Sequence, residues 1–259
     1  FIVSKYFGRK GDQKIDLALV GKGVTFDAGG ISIKPATNMH FMKSDMAGGA
    51  AMLGAIELAA RLGLNINLAA IVPAAENTLD GKSLLPGEVI QTYSGKTVEV
   101  IDTDAEGRLI LADALSWTVR NLKPENLIDM ATLTGSSVRA LGFEAAALYS
   151  NDENLSKAIY DAGLASGDKC WPMPLWKEYA SYVESDVADL ANLPAKPVAG
   201  SIAAAKFLEA FIDDHPKWAH IDMPGMSFQS SPYAKNKSAT GYGISLLSKF
   251  MAKLAKTSS

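Results

Sequence analysis

Residues 100–115 read VIDTDAEGRLILADAL, and they place Asp102, Asp104 and Glu106 within five positions, directly ahead of an apolar helical run. Crowded carboxylates repel one another, so a fold keeps them together where a cation sits among them or where water solvates them. Two readings follow. Thr103 and Glu106 have the T-x-x-E spacing of a capping box, and acidic residues suit a helix N-terminus. That reading leaves Asp102, Asp104, Gly107 and Arg108 unexplained. The other reading is a metal site at the carboxyl end of a strand, the edge of an α/β sheet where ligands bind. Asp104 and Glu106 are two residues apart, so on an extended approach both side chains face one cavity.

The rest of the chain is consistent with that edge. KIDLALVGKG (14–23), NINLAAIVPA, NLIDMATLTG, AALYS and KWAHIDMPG read as strands, and EVIQTYSGKTVEVIDT reads as a hairpin around Ser94–Gly95. Helical periodicity marks 45–64, 105–122, ENLSKAIYDAGLASGD, 199–212 and 241–255. Strands mostly alternate with helices, which predicts an α/β fold, a three-layer sandwich around a mostly parallel mixed sheet. No linker divides residues 1–259, so one domain is expected.

Composition bounds the function. The 259 residues are 48% hydrophobic and 20% charged, with a formal net charge of −3. There is no basic tract, so nucleic acid is an unsuited main partner, and no apolar run reaches membrane-spanning length. The lone cysteine, Cys170, rules out an intrachain disulfide and suits a reducing compartment. The chain starts without Met and reads as a fragment of a longer protein.

Two further acidic junctions resemble the first. Asp27 follows the first strand beside two glycines, and Asp45 opens the helix in MKSDMAGG. Four carboxylates at one sheet edge would be balanced by two divalent cations, and an oxygen-rich site suits magnesium, manganese or zinc. Lys22 and Lys34 lie near the same loops. Each is either a surface lysine, a cation that polarises a substrate oxygen, or a neutral amine ligand.

Taken together, VGKGVTFDAGGISIKP, MKSDMAGGAA, DTDAEGRLILADAL and ATLTG resemble the leucine aminopeptidase family, the two-metal cytosol aminopeptidases. The resemblance runs from about residue 14 to the last helix. It implies a catalytic domain of the two-metal exopeptidase type that removes an N-terminal residue, leucine or another apolar one, by attack of a hydroxide bridging the metals. The matching positions imply metal ligands Lys22, Asp27, Asp45, Asp104 and Glu106, and a catalytic pair of Lys34 and Arg108. They imply bicarbonate as general base, held by Arg108 with the loop that includes Leu133. They also imply a side-chain pocket drawing on Met42, Thr132 and Gly135, with the 223–227 turn opposite. The family further implies zinc or manganese, with magnesium as an alternative, a homo-oligomer of six chains, peptide substrates and a cytoplasmic location.

Three features depart from the family pattern. Asp102 stands where the family commonly has Asn. Pro224–Gly225 stands where a small residue and Gly are usual. The family's additional N-terminal domain is absent from this chain. Among other classes, a two-metal phosphoesterase would want histidine ligands that the acidic segments lack. His40, His215 and His220 read as core or surface residues. A DNA-binding role disagrees with the acidic balance.

Overall fold

The computed structural model describes residues 1–232, 234–235 and 237–257. The first half contributes β1 (Ile2–Phe7), β2 (Leu17–Gly21), β3 (Gly23–Asp27), α1 (Ala47–Arg61), β4 (Asn67–Val72) and β5 (Ala74–Asn77). The hairpin β6 (Val89–Gln91) and β7 (Thr97–Glu99) and the helix α2 (Gly107–Leu122) follow. The second half adds β8 (Asn126–Ala131), α3 (Gly135–Leu141), β9 (Ala146–Ser150), α4 (Glu153–Ser166), β10 (Cys170–Pro172), β11 (Leu190–Ala191) and α5 (Gly200–Glu209). It ends with β12 (Trp218–Asp222), the pair β13 (Phe228–Ser230) and β14 (Lys237–Ala239), and α6 (Ile244–Thr257).

Seven strands form the central sheet in the order β1-β4-β2-β8-β12-β9-β10. The pairs β4/β2, β2/β8, β8/β12 and β9/β10 are parallel, while β1/β4 and β12/β9 are antiparallel. Strand alternation sorts side chains between two faces. Leu17 and Leu19 pack with α1, α4 and α6 on one side, and Ala18 and Val20 pack with α2 and α5 on the other. The strands are buried on both faces, which is why β2 and β4 read as near-continuous apolar runs, whereas β8 and β12 also bury Asp129, His220 and Asp222. This is the expected three-layer α/β sandwich with a mixed, mostly parallel sheet.

The first layer approaches the sheet closely at the start of α1. A β-carbon at Gly48 would lie 2.1 Å from the Met130 carbonyl oxygen, and one at Gly21 would lie 2.6 Å from Gly49 Cα. Bare glycines therefore let α1 begin on top of β2 and β8, and the Gly49 amide donates to the Lys22 carbonyl at 2.8 Å.

The capping box does not form. The helix begins at Gly107, Glu106 occupies its cap position, and no side chain caps it. Thr103 turns the other way: its hydroxyl donates to Gly29 O at 2.6 Å and accepts from Ser32 N at 2.8 Å. Thr103 thus ties the carboxylate segment to the loop after β3 instead of to its own helix.

Candidate metal centre

β2, β8 and β12 run parallel and end at one edge. The residues just past those ends are Lys22, Thr132 to Gly135 and Met223. Lys22 is buried, with its ammonium 2.7 Å from Asp45 Oδ2 and 2.7 Å from Glu106 Oε1, and it donates to the Thr132 carbonyl at 3.2 Å. Burial alone would lower its pKa, but the two carboxylates outweigh burial and raise it, so Lys22 stays charged. Asp45 enters from the turn before α1 and accepts from the Thr132 hydroxyl at 2.7 Å. Burial and the Glu106 charge push the Asp45 carboxyl up to about 6 against the opposing pull of Lys22.

A second ammonium organises the other side. Asp27 ends β3, and its Oδ1 accepts from Gly29 N at 3.0 Å and from Asn77 Nδ2 at 2.9 Å. Its Oδ2 lies 2.8 Å from Lys34 Nζ, which also bonds Asp104 Oδ1. Burial resists the Lys34 charge, but hydrogen bonds to Asp104 and Asp27 raise its pKa. Asp104 is pushed up to about 6, chiefly by burial, with Lys34 opposing.

Asp27, Asp45 and Glu106 each offer an oxygen within 4.8 Å of the others, and Asp104 joins them through Lys34. Four carboxylates against two ammoniums leave a negative surplus. Glu106 Oε2 is buried without a hydrogen-bond partner among the described residues, and Asp45 Oδ2 and Glu106 Oε1 have no partner there besides the Lys22 ammonium. Hard oxygen donors with a charge surplus fit divalent cations.

Around this cluster lies a cleft of about 540 Å³ lined by Met42, Asp102, Arg108, Thr132, Leu133 and Gly135, among others. Arg108 is 4% exposed, and its Nε and Nη1 have no hydrogen-bond partner among the described residues. Burial lowers its pKa to about 10, with Glu106, Asp222 and Asp102 pulling upward. A buried guanidinium with two free donors fits a planar oxyanion. Asp102 accepts from Asp104 N at 2.8 Å, so it shapes the turn as well as facing the cleft.

Of the 223–227 turn, Pro224 and Ser227 line the cleft, whereas Met226 is buried in the core. His220 is a core residue. Its Nδ1 lies 2.5 Å from Asp129 Oδ1, and Asp129 Oδ2 accepts from Trp218 Nε1 at 2.8 Å.

Asp222 is the residue that sequence reasoning missed. At the end of β12 it accepts from Leu133 N at 3.0 Å, from Thr134 N at 3.1 Å and from the Thr134 hydroxyl at 2.5 Å. It fixes the loop that forms one wall of the cleft. Its place at a strand's carboxyl end was the available signal.

The catalytic-domain signature of the cytosol aminopeptidase family matches residues 1–248. A probable cytosol aminopeptidase of Chlorobium limicola is 54% identical over 237 residues, covering 92% of this chain and 47% of that protein. One from Alcanivorax borkumensis is 48% identical over 250 residues, covering 96% and 50%. The apo structure of leucyl aminopeptidase from Trypanosoma cruzi superposes with a TM-score of 0.90 at 35% identity, covering 97% of this chain and 49% of that one. The chain thus spans about half the length of the relatives it matches. The length of the signature match and the closeness of these relatives show that the chain belongs to the cytosol aminopeptidase family.

Proposed function

We propose that this chain is the catalytic part of a metal-dependent aminopeptidase that releases the N-terminal residue, leucine or another apolar residue, from peptides. The observation that carries the reading is the convergence of Asp27, Asp45 and Glu106 within 4.8 Å at the carboxyl edge of the sheet. Family membership supports it.

Asp27, Asp45, Asp104 and Glu106 would hold two divalent ions, zinc or manganese, with magnesium as the alternative, and Lys22 would join them as a ligand once the incoming charge had displaced the proton of its ammonium. When bound, such ions polarise a scissile carbonyl and lower the pKa of an attacking water. The chain's own groups do the rest. The free α-amine of the substrate would be held at the metal centre, which restricts cleavage to the terminal residue. Lys34 is partly exposed on the cleft side and keeps its charge, so its ammonium stabilises the developing oxyanion. Arg108, with the backbone at Leu133, would hold bicarbonate, whose chemistry is that of a general base. Met42, Thr132 and Gly135 face the substrate side chain, and Met adapts to varied apolar shapes.

Exposed Phe143, Trp171 and Trp176 support a homo-oligomer, proposed as a hexamer, because large apolar surface residues gather at interfaces. A cytoplasmic location is proposed with it. No helix among the described residues is long and apolar enough to cross a membrane.

The test is hydrolysis of leucine amide by the chelated chain with and without added manganese or zinc. Ammonia release that depends on metal supports the reading. A lack of release with every metal, in a folded and metal-loaded sample, refutes it.

A further inference from the structure

The cleft carries one cation that the proposed reaction does not use. Arg139 lies on α3, a short helix capped by Thr134, whose hydroxyl accepts from Ser137 N at 3.3 Å. Gly135 and Arg139 are four residues apart and so share a face of that helix. A β-carbon added at Gly135 would meet only one atom within 4 Å, Arg139 Nη1 at 3.7 Å. The guanidinium therefore lies over the bare backbone of a residue expected to face the substrate. Its Nη2 donates to Ser136 Oγ at 2.9 Å. Ser136 is itself hemmed in from the opposite wall, since a β-carbon at Gly200 would come 2.5 Å from its Oγ. Arg139, Ser136 and Gly200 all line the cleft that holds Asp27, Asp45 and Asp104.

Arg139 also differs from the other arginines outside the metal centre. Arg9, Arg61 and Arg120 each pair with a carboxylate. Arg139 has no ion pair with any carboxylate of the described residues. The cleft thus has the metal centre, proposed to take the α-amine of the substrate, at one part and an unpaired, planar five-donor cation at its wall. That pattern complements a substrate that carries a free amine and, within a residue or two, a carboxylate.

We propose that Arg139 is a specificity-determining residue that receives a carboxylate of the substrate. The inference rests on the aminopeptidase reading. Two sources offer the same chemistry: the acidic side chain of an N-terminal glutamate, or the terminal carboxylate of a dipeptide.

The experiment uses the metal-loaded chain and two matched pairs, glutamate amide against glutamine amide and Leu-Gly against Leu-Gly amide. Within each enzyme, the ratio of kcat/KM for the acid over its neutral partner is measured for the parent, Arg139→Ala and Arg139→Lys. One ratio should fall about tenfold in Arg139→Ala, equivalent to about 1.4 kcal/mol. It should fall less in Arg139→Lys, which keeps the charge and loses the fork. A change in the first pair assigns the side-chain carboxylate, and a change in the second assigns the chain terminus. Calorimetric Kd ratios for reduced-bond dipeptides, in which CH2–NH replaces the amide carbonyl, read the same contrast without turnover: Glu-Gly against Gln-Gly, both as amides, and Leu-Gly against its amide. If neither pair moves in rate or in Kd, the role of Arg139 is overturned, even with leucine amide still hydrolysed. If the Kd ratio moves while no substrate is turned over, the catalytic reading fails and the Arg139 assignment stands.

Discussion

Replacing Gly48 with Ala should destabilise the chain although alanine is the better helix former. The added methyl would sit 2.1 Å from the Met130 carbonyl oxygen, 2.8 Å from the Met130 carbonyl carbon and 3.0 Å from Ala131 Cα. All three are backbone atoms of β8 near the middle of the sheet, so no side chain can rotate away. Relief requires α1 to retreat by about 1 Å, and overpacking of this kind costs about 1–3 kcal/mol. The helix-propensity gain of Ala over Gly, at most about 1 kcal/mol, is reduced here because Gly48 lies in the first turn. A net loss of about 1–2 kcal/mol corresponds to a fall in Tm of roughly 2–8 °C for a domain of this size. Gly54→Ala in the same helix is the control. Its methyl meets Ile244 Cδ1 at 2.8 Å, the mobile tip of a side chain, so its stability should stay within about 1 kcal/mol of the parent. Urea and thermal unfolding of the three proteins decide the matter. A Gly48→Ala protein as stable as the parent would refute the close approach of α1 to β8. Because α1 follows directly from Asp45, the same variant should also bind divalent metal more weakly.

Other outcomes follow from the same geometry. Saturating manganese should raise the Tm of the chelated chain, by about 2.7 kcal/mol of stabilisation per site at a hundred times Kd, and Glu106→Gln should lose most of that rise in the same thermal scan. Asp222→Ala strands the Leu133 and Thr134 amides, each at about 1–3 kcal/mol, and should lower the urea midpoint together with activity. His220 offers a pH signature. Burial opposes its charge, but Asp129 outweighs burial and raises its pKa above the ordinary 6.5. Its stabilisation is therefore complete below about pH 6.5 and is lost as pH rises through the higher folded-state value. Unfolding free energies from pH 6 to 9 should decline in the parent, and His220→Gln should flatten that decline.

The strands β2, β4, β8 and β12 were legible in the sequence because both faces are buried, which favours apolar residues at all but a few partnered positions such as Asp129 and His220. The carboxylates were legible because acidic residues recur at three strand-to-helix junctions, although any one of them alone reads as an ordinary cap or turn residue. What escaped reading depends on distant partners. Thr103 has the local spacing of a cap, yet its hydroxyl meets Gly29 and Ser32, more than seventy positions away. Asp222 carries no neighbouring motif, and its role exists only because β12 lies beside β8. The burial of Lys22 likewise follows from Asp45 and Glu106 closing around it, which no window around residue 22 contains. The strand β1 has an alternating, half-exposed pattern at the edge of the sheet, and β13 and β14 are three residues each, too short for periodicity to mark.

The strand order β4-β2-β8-β12 also has a meaning in time. All five expected metal ligands lie between Lys22 and Glu106, so a ribosome delivers them early. Yet β2 has a partner on only one side until β8 is made, and the loop at 133–134 has no anchor until Asp222 emerges, over a hundred residues after Glu106. At cellular synthesis rates that interval is on the order of ten seconds. During it the nascent chain carries these carboxylates without the scaffold that gathers them. A metal captured then would be chosen by availability, and any selectivity of the proposed centre would begin only when β12 takes its place.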